Sequence, residues 1–221
     1  MDVGGGEESA CADRRAKLLF RKEKGRKKMN FITRLHIAYA DARERKKLYR
    51  LYRMMKSVGR NVHICPGYSF ESTENITIGD HVWIGKHMMA KAQGGLTIGS
   101  GTIIAQNCEI WTSNHNYDSD DLETIPYDKR FFLKPVFIGE NVWIGSRVII
   151  LPGVTIGEGA VIGAGSVVSR DVSAFAVCAG NPIRVFKYRN IEKYKELKEK
   201  NKIYLAVEYD YDRSSLRKTE Y

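Results

Sequence analysis

Aliphatic residues return every six positions through the middle of this chain. Ile78 and Ile84 begin the pattern. Ile98, Ile104 and Ile110 continue it, and Ile138, Ile144, Ile150, Ile156, Ile162 and Val168 complete it. Glycine follows at once in seven of these eleven hexads, at Gly79, Gly85, Gly99, Gly139, Gly145, Gly157 and Gly163. The position four after the aliphatic residue is small or branched, as at Thr102, Cys108, Val142, Val148, Val154, Ala160 and Ser166. A period of six suits neither a helix, with about 3.6 residues per turn, nor a long strand. It predicts a coil of three short strands, eighteen residues per coil, each strand ending in a tight corner. Strand alternation turns the aliphatic residue and the small residue inward together. A weaker run, Val58, Ile64, Phe70 and Ile76, predicts a first coil.

The interruptions matter as much as the repeat. Ile76 and Ile78 are two apart and Ile84 to Ile98 is fourteen, which predicts two-residue insertions at corners. The larger break follows His115, where residues 116–135 must leave the prism as a long loop. Loops of that length are usually functional. Upstream, Phe31, Leu35, Ala38, Ala42, Leu48, Tyr52 and Met55 recur at helical spacing, with a charged break at Arg45–Lys47. They predict one or two amphipathic helices ending near Gly59. Gly180-Asn181-Pro182 stops the repeat, and Ile191, Tyr194 and Leu197 mark a C-terminal helix capped by Asn190. The expected organisation is a disordered or weakly helical basic lead-in over 1–28, a helical segment over 29–59, the β-helix over 60–182, and a helix and tail over 183–221.

Net charge is +10, and it is concentrated. Residues 1–60 hold 18 Lys and Arg against 7 Asp and Glu, whereas the remainder holds 18 against 19. A basic arm on a neutral body reads first as a solvated helix with a flexible basic lead-in; weak association with an anionic membrane surface is the alternative, and nucleic-acid binding is not expected. Cys11, Cys65, Cys108 and Cys178 show neither zinc-ligand nor disulfide-framework spacing. Without a long apolar run or a leader-like start, the expectation is a soluble, cytoplasmic chain.

His115 carries the candidate chemistry. It faces outward at a corner, in Thr112-Ser113-Asn114-His115-Asn116-Tyr117, with Asn114 expected to point inward. Imidazole titrates near neutrality and suits a general base. A three-histidine zinc site is not expected: His81 and His87 lie one hexad apart on different faces, His63 falls at another hexad position, and no histidine follows His115. Cys108 and Cys178 fall on inward small positions and read as core.

Residues 136–187, from Val136-Phe137-Ile138-Gly139 to Arg184-Val185-Phe186-Lys187, resemble the C-terminal half of hexapeptide-repeat acyltransferases, the group of galactoside, maltose and polysaccharide O-acetyltransferases. The resemblance spans about 60–190. It implies a left-handed β-helix, a homotrimer with active sites between neighbouring prisms, acetyl-CoA as donor, no metal, and His115 as general base. It also implies coenzyme contacts by Trp143, Ser146, Ala164, Ser169, Arg170, Arg184 and Lys187. On the acceptor side the galactoside branch carries an asparagine and an aspartate where this chain has Gly85 and Gln93. The pattern therefore resembles acetyltransferases of capsular, exopolysaccharide or lipopolysaccharide sugars, with Tyr117, Asp118, Tyr127 and Phe131 as acceptor contacts. An antibiotic acetyltransferase of the streptogramin type, suggested by the Asn114-His115 pair, is one alternative. A catalytically silent β-helix serving in assembly is another.

Overall fold

The computed structural model describes residues 31–208, with side chains over 42–207. The expected lead-in over 1–28 lies outside the described residues, as do residues 209–221. Contacts divide the chain between Lys47 and Leu48. Helix α1 (Phe31–Met54) is a single helix of 24 residues. The expected break at Arg45–Lys47 is absent: Arg and Lys are good helix formers, and these three side chains are exposed. Within the second unit, Leu51 and Met55 are buried in the core of the prism, and Leu48 and Tyr52 pack against it.

The repeat builds three parallel faces. The first holds β1 (Ser57–Val58), β4 (Ile76–Ile78), β7 (Leu96–Ile98), β12 (Val136–Ile138) and β15 (Thr155–Ile156). The second holds β2 (His63–Ile64), β5 (Trp83–Ile84), β8 (Ile103–Ile104), β13 (Trp143–Ile144), β16 (Val161–Ile162) and β18 (Ala176–Ala179), with β19 (Arg184–Tyr188) antiparallel at its edge. The third holds β3 (Ser69–Glu71), β6 (Met89–Lys91), β9 (Glu109–Trp111), β14 (Ile149–Ile150) and β17 (Val167–Val168).

Register turns the sequence pattern into a core. Ile78, Ile98, Ile138 and Ile156 stack in pairs along the first face. Ile64, Ile84, Ile104, Ile144, Ile162 and Cys178 stack along the second. Ala90, Ile110, Ile150 and Val168 stack along the third. All are buried. Each fully buried isoleucine contributes about 1.5–3 kcal/mol relative to exposure. Polar residues at the small inward positions find corner carbonyls: Thr102 Oγ1 donates to Gly139 O at 2.9 Å and Ser166 Oγ to Gly163 O at 2.6 Å. Satisfied in this way, they escape the cost of a buried, unpaired hydroxyl.

One expectation needs correction. Ile76 pairs with Leu96 and sits in the second coil beside Ile78, while Val58 is the residue in register with Ile78. The expected two-residue insertions are present in the early coils, since Ile64 pairs with Ile84 and Ile84 with Ile104. Their extra residues fall at the corner between third and first faces. A 3₁₀ turn, Thr73–Asn75, occupies it in the first coil and Gly94–Gly95 in the second. At the same corner of the third coil the chain leaves altogether. Because Ile98 pairs directly with Ile138, the intervening loop is excluded from the prism without disturbing the stack.

After β19, helix α2 (Ile191–Glu199) is capped by the Asn190 side chain, which accepts from Lys193 N at 2.9 Å. Tyr194 seats it, accepting from Asn141 Nδ2 at 3.0 Å and donating to Glu158 Oε1 at 2.9 Å. Helix α3 (Tyr204–Glu208) ends the described chain. No helix among the described residues is long and apolar enough to cross a membrane.

Candidate active site

His115 ends β10 (Ser113–His115), which pairs antiparallel with β11 (Phe131–Leu133). The two strands form a hairpin arm that carries the third-face strand β9 past the corner of the prism. Its root is tight: Gly94 N–H donates to Thr112 Oγ1 at 2.8 Å, and Lys134 N–H to Thr112 O at 2.8 Å. Asn114 is exposed rather than inward, while Ser113 and Asn116 are buried. The chain has left the prism here, so prism alternation no longer governs the side chains. Asn114 instead accepts the His115 N–H on its Oδ1 at 2.9 Å.

The imidazole is enclosed by aromatic rings. Tyr127 stacks on it at 3.9 Å between centroids and 23° between planes, and Phe131 lies at 4.3 Å and 40°. His115 Nδ1 is buried and has no hydrogen-bond partner among the described residues. Behind the rings lies a polar network that sequence reasoning missed. Asn116 Nδ2 donates to Asp128 Oδ2 at 2.8 Å and Ser119 Oγ at 2.9 Å, and Arg130 Nε donates to Asp128 Oδ2 at 2.9 Å. Arg130 also pairs with Asp121 at 2.6 Å. The Arg130 guanidinium holds the Asp128 carboxyl well below the usual carboxylate range. The sequence signal was the Asp128–Lys129–Arg130 order, which puts acid and guanidinium two residues apart and so on one side of an extended chain.

The other candidates fall on different parts of the prism. Tyr117 and Asp118 are exposed where the loop begins, and Phe131 is brought against His115. Trp143, exposed on the second face, is in register with Val161, Val161 with Val177, and Val177 with Lys187. Trp143 and Lys187 thus share one outward row across four strands, spaced by about 4.8 Å per strand. Ser146 and Ala164 occupy the corner between second and third faces. There Ser146 O accepts the Gly165 N–H at 2.8 Å, and a Cβ on Gly145 would meet Ala164 N at 2.6 Å. That close approach makes a wall of bare backbone. Ser169 and Arg170 sit at the same kind of corner as His115, two coils further along. Arg170 and Arg184 line an open pocket of about 510 Å³ with Val172, Cys178, Ile183 and Val185. One chain therefore joins Phe131 to His115 and Arg170 to Arg184. It leaves the Ser146–Ala164 wall on a different edge from His115.

Three further histidines have local roles. His81 and His87 adopt φ values of 57° and 55° at corners of the second coil, and His63 stacks on Trp83 at 4.2 Å. No group of three or more His, Cys, Asp or Glu side chains that could hold a metal occurs among the described residues. Burial raises the Cys65, Cys108 and Cys178 thiols above their ordinary value.

A three-faced prism of hexads with an outward histidine at the root of one long loop defines the class: the chain belongs to the hexapeptide-repeat acyltransferases, and its prism is the left-handed β-helix of that family. Residues 135–170 match the family described as bacterial transferase hexapeptide (six repeats). Among curated proteins it is similar to one of Escherichia coli (strain K12) that carries the provisional name colanic acid biosynthesis acetyltransferase WcaF. The two are 35% identical over 132 residues, or 60% of this chain and 69% of that protein. Among solved structures it resembles a galactoside acetyltransferase in complex with coenzyme A, at 32% identity and a TM-score of 0.60, covering 68% of this chain and 73% of that one. A hexapeptide-repeat acetyltransferase of Vibrio cholerae O1 biovar eltor, complexed with acetyl-CoA, matches at 28% identity and a TM-score of 0.60, covering 66% and 77%. A maltose O-acetyltransferase of Clostridium difficile 630 matches at 34% identity and a TM-score of 0.56, covering 62% and 72%.

Proposed function

We propose that this protein transfers the acetyl group of acetyl-CoA to a hydroxyl of a sugar in a surface polysaccharide or its precursor, with His115 as general base. The observation that carries the reading is the His115 ring, held by its faces at the root of the loop with its Nδ1 edge buried. The acceptor proton then has Nε2 as its destination. The hydroxyl oxygen attacks the thioester carbonyl as Nε2 takes its proton. The tetrahedral oxyanion collapses, the C–S bond breaks, and the imidazolium returns a proton to the coenzyme A thiolate. No acyl-enzyme is formed, in keeping with buried Cys108 and Cys178 thiols whose burial disfavours the nucleophilic thiolate.

The residues present suit the donor. The bare backbone at Gly145, Ser146 and Ala164 offers polar partners to a pantetheine arm, with Trp143 and Ser169 beside its path. Arg170, Arg184 and Lys187 offer cations to phosphates. Because the Ser146–Ala164 wall and His115 stand on different edges of one prism, a complete site needs two edges from neighbouring copies. This favours a homotrimer. The acceptor reading rests on the likeness to WcaF, on Phe131 against the base, and on Tyr117 and Asp118 exposed where the loop begins. The exposed basic residues Arg43, Arg45, Lys46, Arg50 and Arg53 of α1 favour weak association with an anionic membrane surface. Replacing His115 by Ala tests the base: coenzyme A release with a sugar acceptor is expected to fall by about 10²–10⁴-fold. Full activity in His115→Ala would refute this role. A panel of sugars against streptogramin-type drugs tests the acceptor class.

A further inference from the structure

The geometry points to Tyr127 and Phe131 as positioning residues that clamp the His115 imidazole by its two faces, doing by stacking what a hydrogen-bonded carboxylate does for the histidine of a serine-protease triad. The inference rests on the reading of His115 as the base.

The clamp follows from the ring geometry. Two six-membered rings at 3.9 and 4.3 Å from one imidazole centroid cannot share a face, because they would occupy the same space. One therefore lies on each side, and the imidazole keeps its edges alone. Of the two nitrogens, Nδ1 is buried and meets no acceptor among the described residues. Nothing on that edge holds the ring in plane. Stacking on both faces is what remains to fix the ring, and it leaves Nε2 as the nitrogen for the acceptor.

The polar network explains why the clamp is built where it is. Each ring-bearing residue is the chain neighbour of a network residue: His115 of Asn116, Tyr127 of Asp128, and Phe131 of Arg130. The backbone repeats the connection, with Asn116 N–H donating to Arg130 O at 3.0 Å and Asp128 N–H to Asn116 O at 3.0 Å. Asp128, almost wholly buried, joins Asn116 to Arg130 through its carboxylate. Three rings on one side and three hydrogen-bonding side chains on the other thus close the same loop. Phe131 is also the cross-strand partner of His115 in the hairpin, so its place is set by register. Tyr127 comes from the loop, and it is the network that delivers it.

The test uses the full-length protein carrying Tyr127→Ala, Tyr127→Leu or Tyr127→Phe. Leucine keeps apolar bulk without a π face, which covers the case where alanine leaves the loop unfolded. With a base misplaced by about an ångström, kcat is expected to fall on the order of 10²-fold in the Ala and Leu variants while KM for acetyl-CoA stays the same. Tyr127→Phe, which keeps the stack, is expected to restore kcat. A phenylalanine variant as slow as the alanine one would overturn the clamp, as would wild-type kcat in both Ala and Leu variants. A readout independent of activity is the NMR shift of the His115 Hδ2 and Hε1 protons. Flanking rings move these resonances upfield in the unmodified protein, and loss of Tyr127 returns them toward free-histidine positions. Unshifted resonances in the unmodified protein would refute the clamp whatever His115 does. If His115→Ala is fully active while the shifts are present, it is the general-base reading that fails.

Discussion

At the scale of single residues, Asp128 is the clearest case of a buried charge kept ionised. Its carboxyl is held below its ordinary value first by the Arg130 side chain, with further hydrogen bonds from the Arg130 backbone, Asn116 and Glu123. A depressed carboxylate stabilises the native state fully above its unfolded value of about 3.9. That contribution is lost only as pH falls through the depressed native value. Hydrogen exchange at the Asn116 and Asp128 amides, corrected for intrinsic rates, is therefore expected to stay constant from pH 8 to pH 5. Asp128→Asn should speed it throughout, because it removes the charge that Arg130 grips. Tyr194 has the opposite sign: burial first, then Glu158, pushes its phenol up to about 12. Its contribution is present below the ordinary value of about 10 and is lost as pH rises through about 12. His115 was legible in the sequence because the repeat breaks just beyond it. Asp128 was not, because a loop has no period that would mark one acid among five in residues 116–135 as the buried one.

At the scale of elements, the hairpin arm and the corner beneath it are the coupled parts. Gly94 lies so close to the arm that an added Cβ would fall 2.2 Å from Thr112 O and 2.8 Å from Lys134 N. Both atoms are backbone and cannot swing away, so Gly94→Ala must lift the arm. It is expected to cost about 1–3 kcal/mol by denaturant unfolding and to lower activity through displacement of His115. A core change shows the contrasting behaviour. Ile144→Ala removes one tier of the second-face ladder between Ile104 and Ile162, and should destabilise by about 2–5 kcal/mol. Calorimetry would measure that loss, and hydrogen exchange should show it centred on the neighbouring coils, since each coil contacts mainly those above and below it. The hexad pattern announced these ladders. It did not announce β19, whose five residues are all exposed and whose alternation lacks an inward side.

At the scale of the whole molecule, two predictions address assembly and surroundings. Sedimentation velocity is expected to give a species of three times the 25.1 kDa chain mass. A monomer with full activity would refute the shared site. Vesicles containing anionic lipid are expected to sediment the protein at low salt and release it at high salt, because exposed cations act within a Debye length of about 10 Å at 0.1 M. Charge reversal at Arg50 and Arg53 should weaken that binding. Indifference of binding to both salt and charge reversal would remove the membrane from the account.

The sequence by itself determined the prism, its interruption and the histidine at that interruption. These depend on local spacing: a side chain points inward every sixth residue whatever the rest of the chain does. The acyltransferase family was legible too, through the resemblance of residues 136–187 rather than through the spacing. Tertiary structure alone decided what surrounds His115. The rings of Tyr127 and Phe131 meet it from 12 and 16 residues away, across a hairpin and a loop whose path is set by Asn116, Asp128 and Arg130. No period encodes such a closure. It forms because a buried carboxylate must find its hydrogen-bond donors, and in finding them it carries Tyr127 onto the histidine.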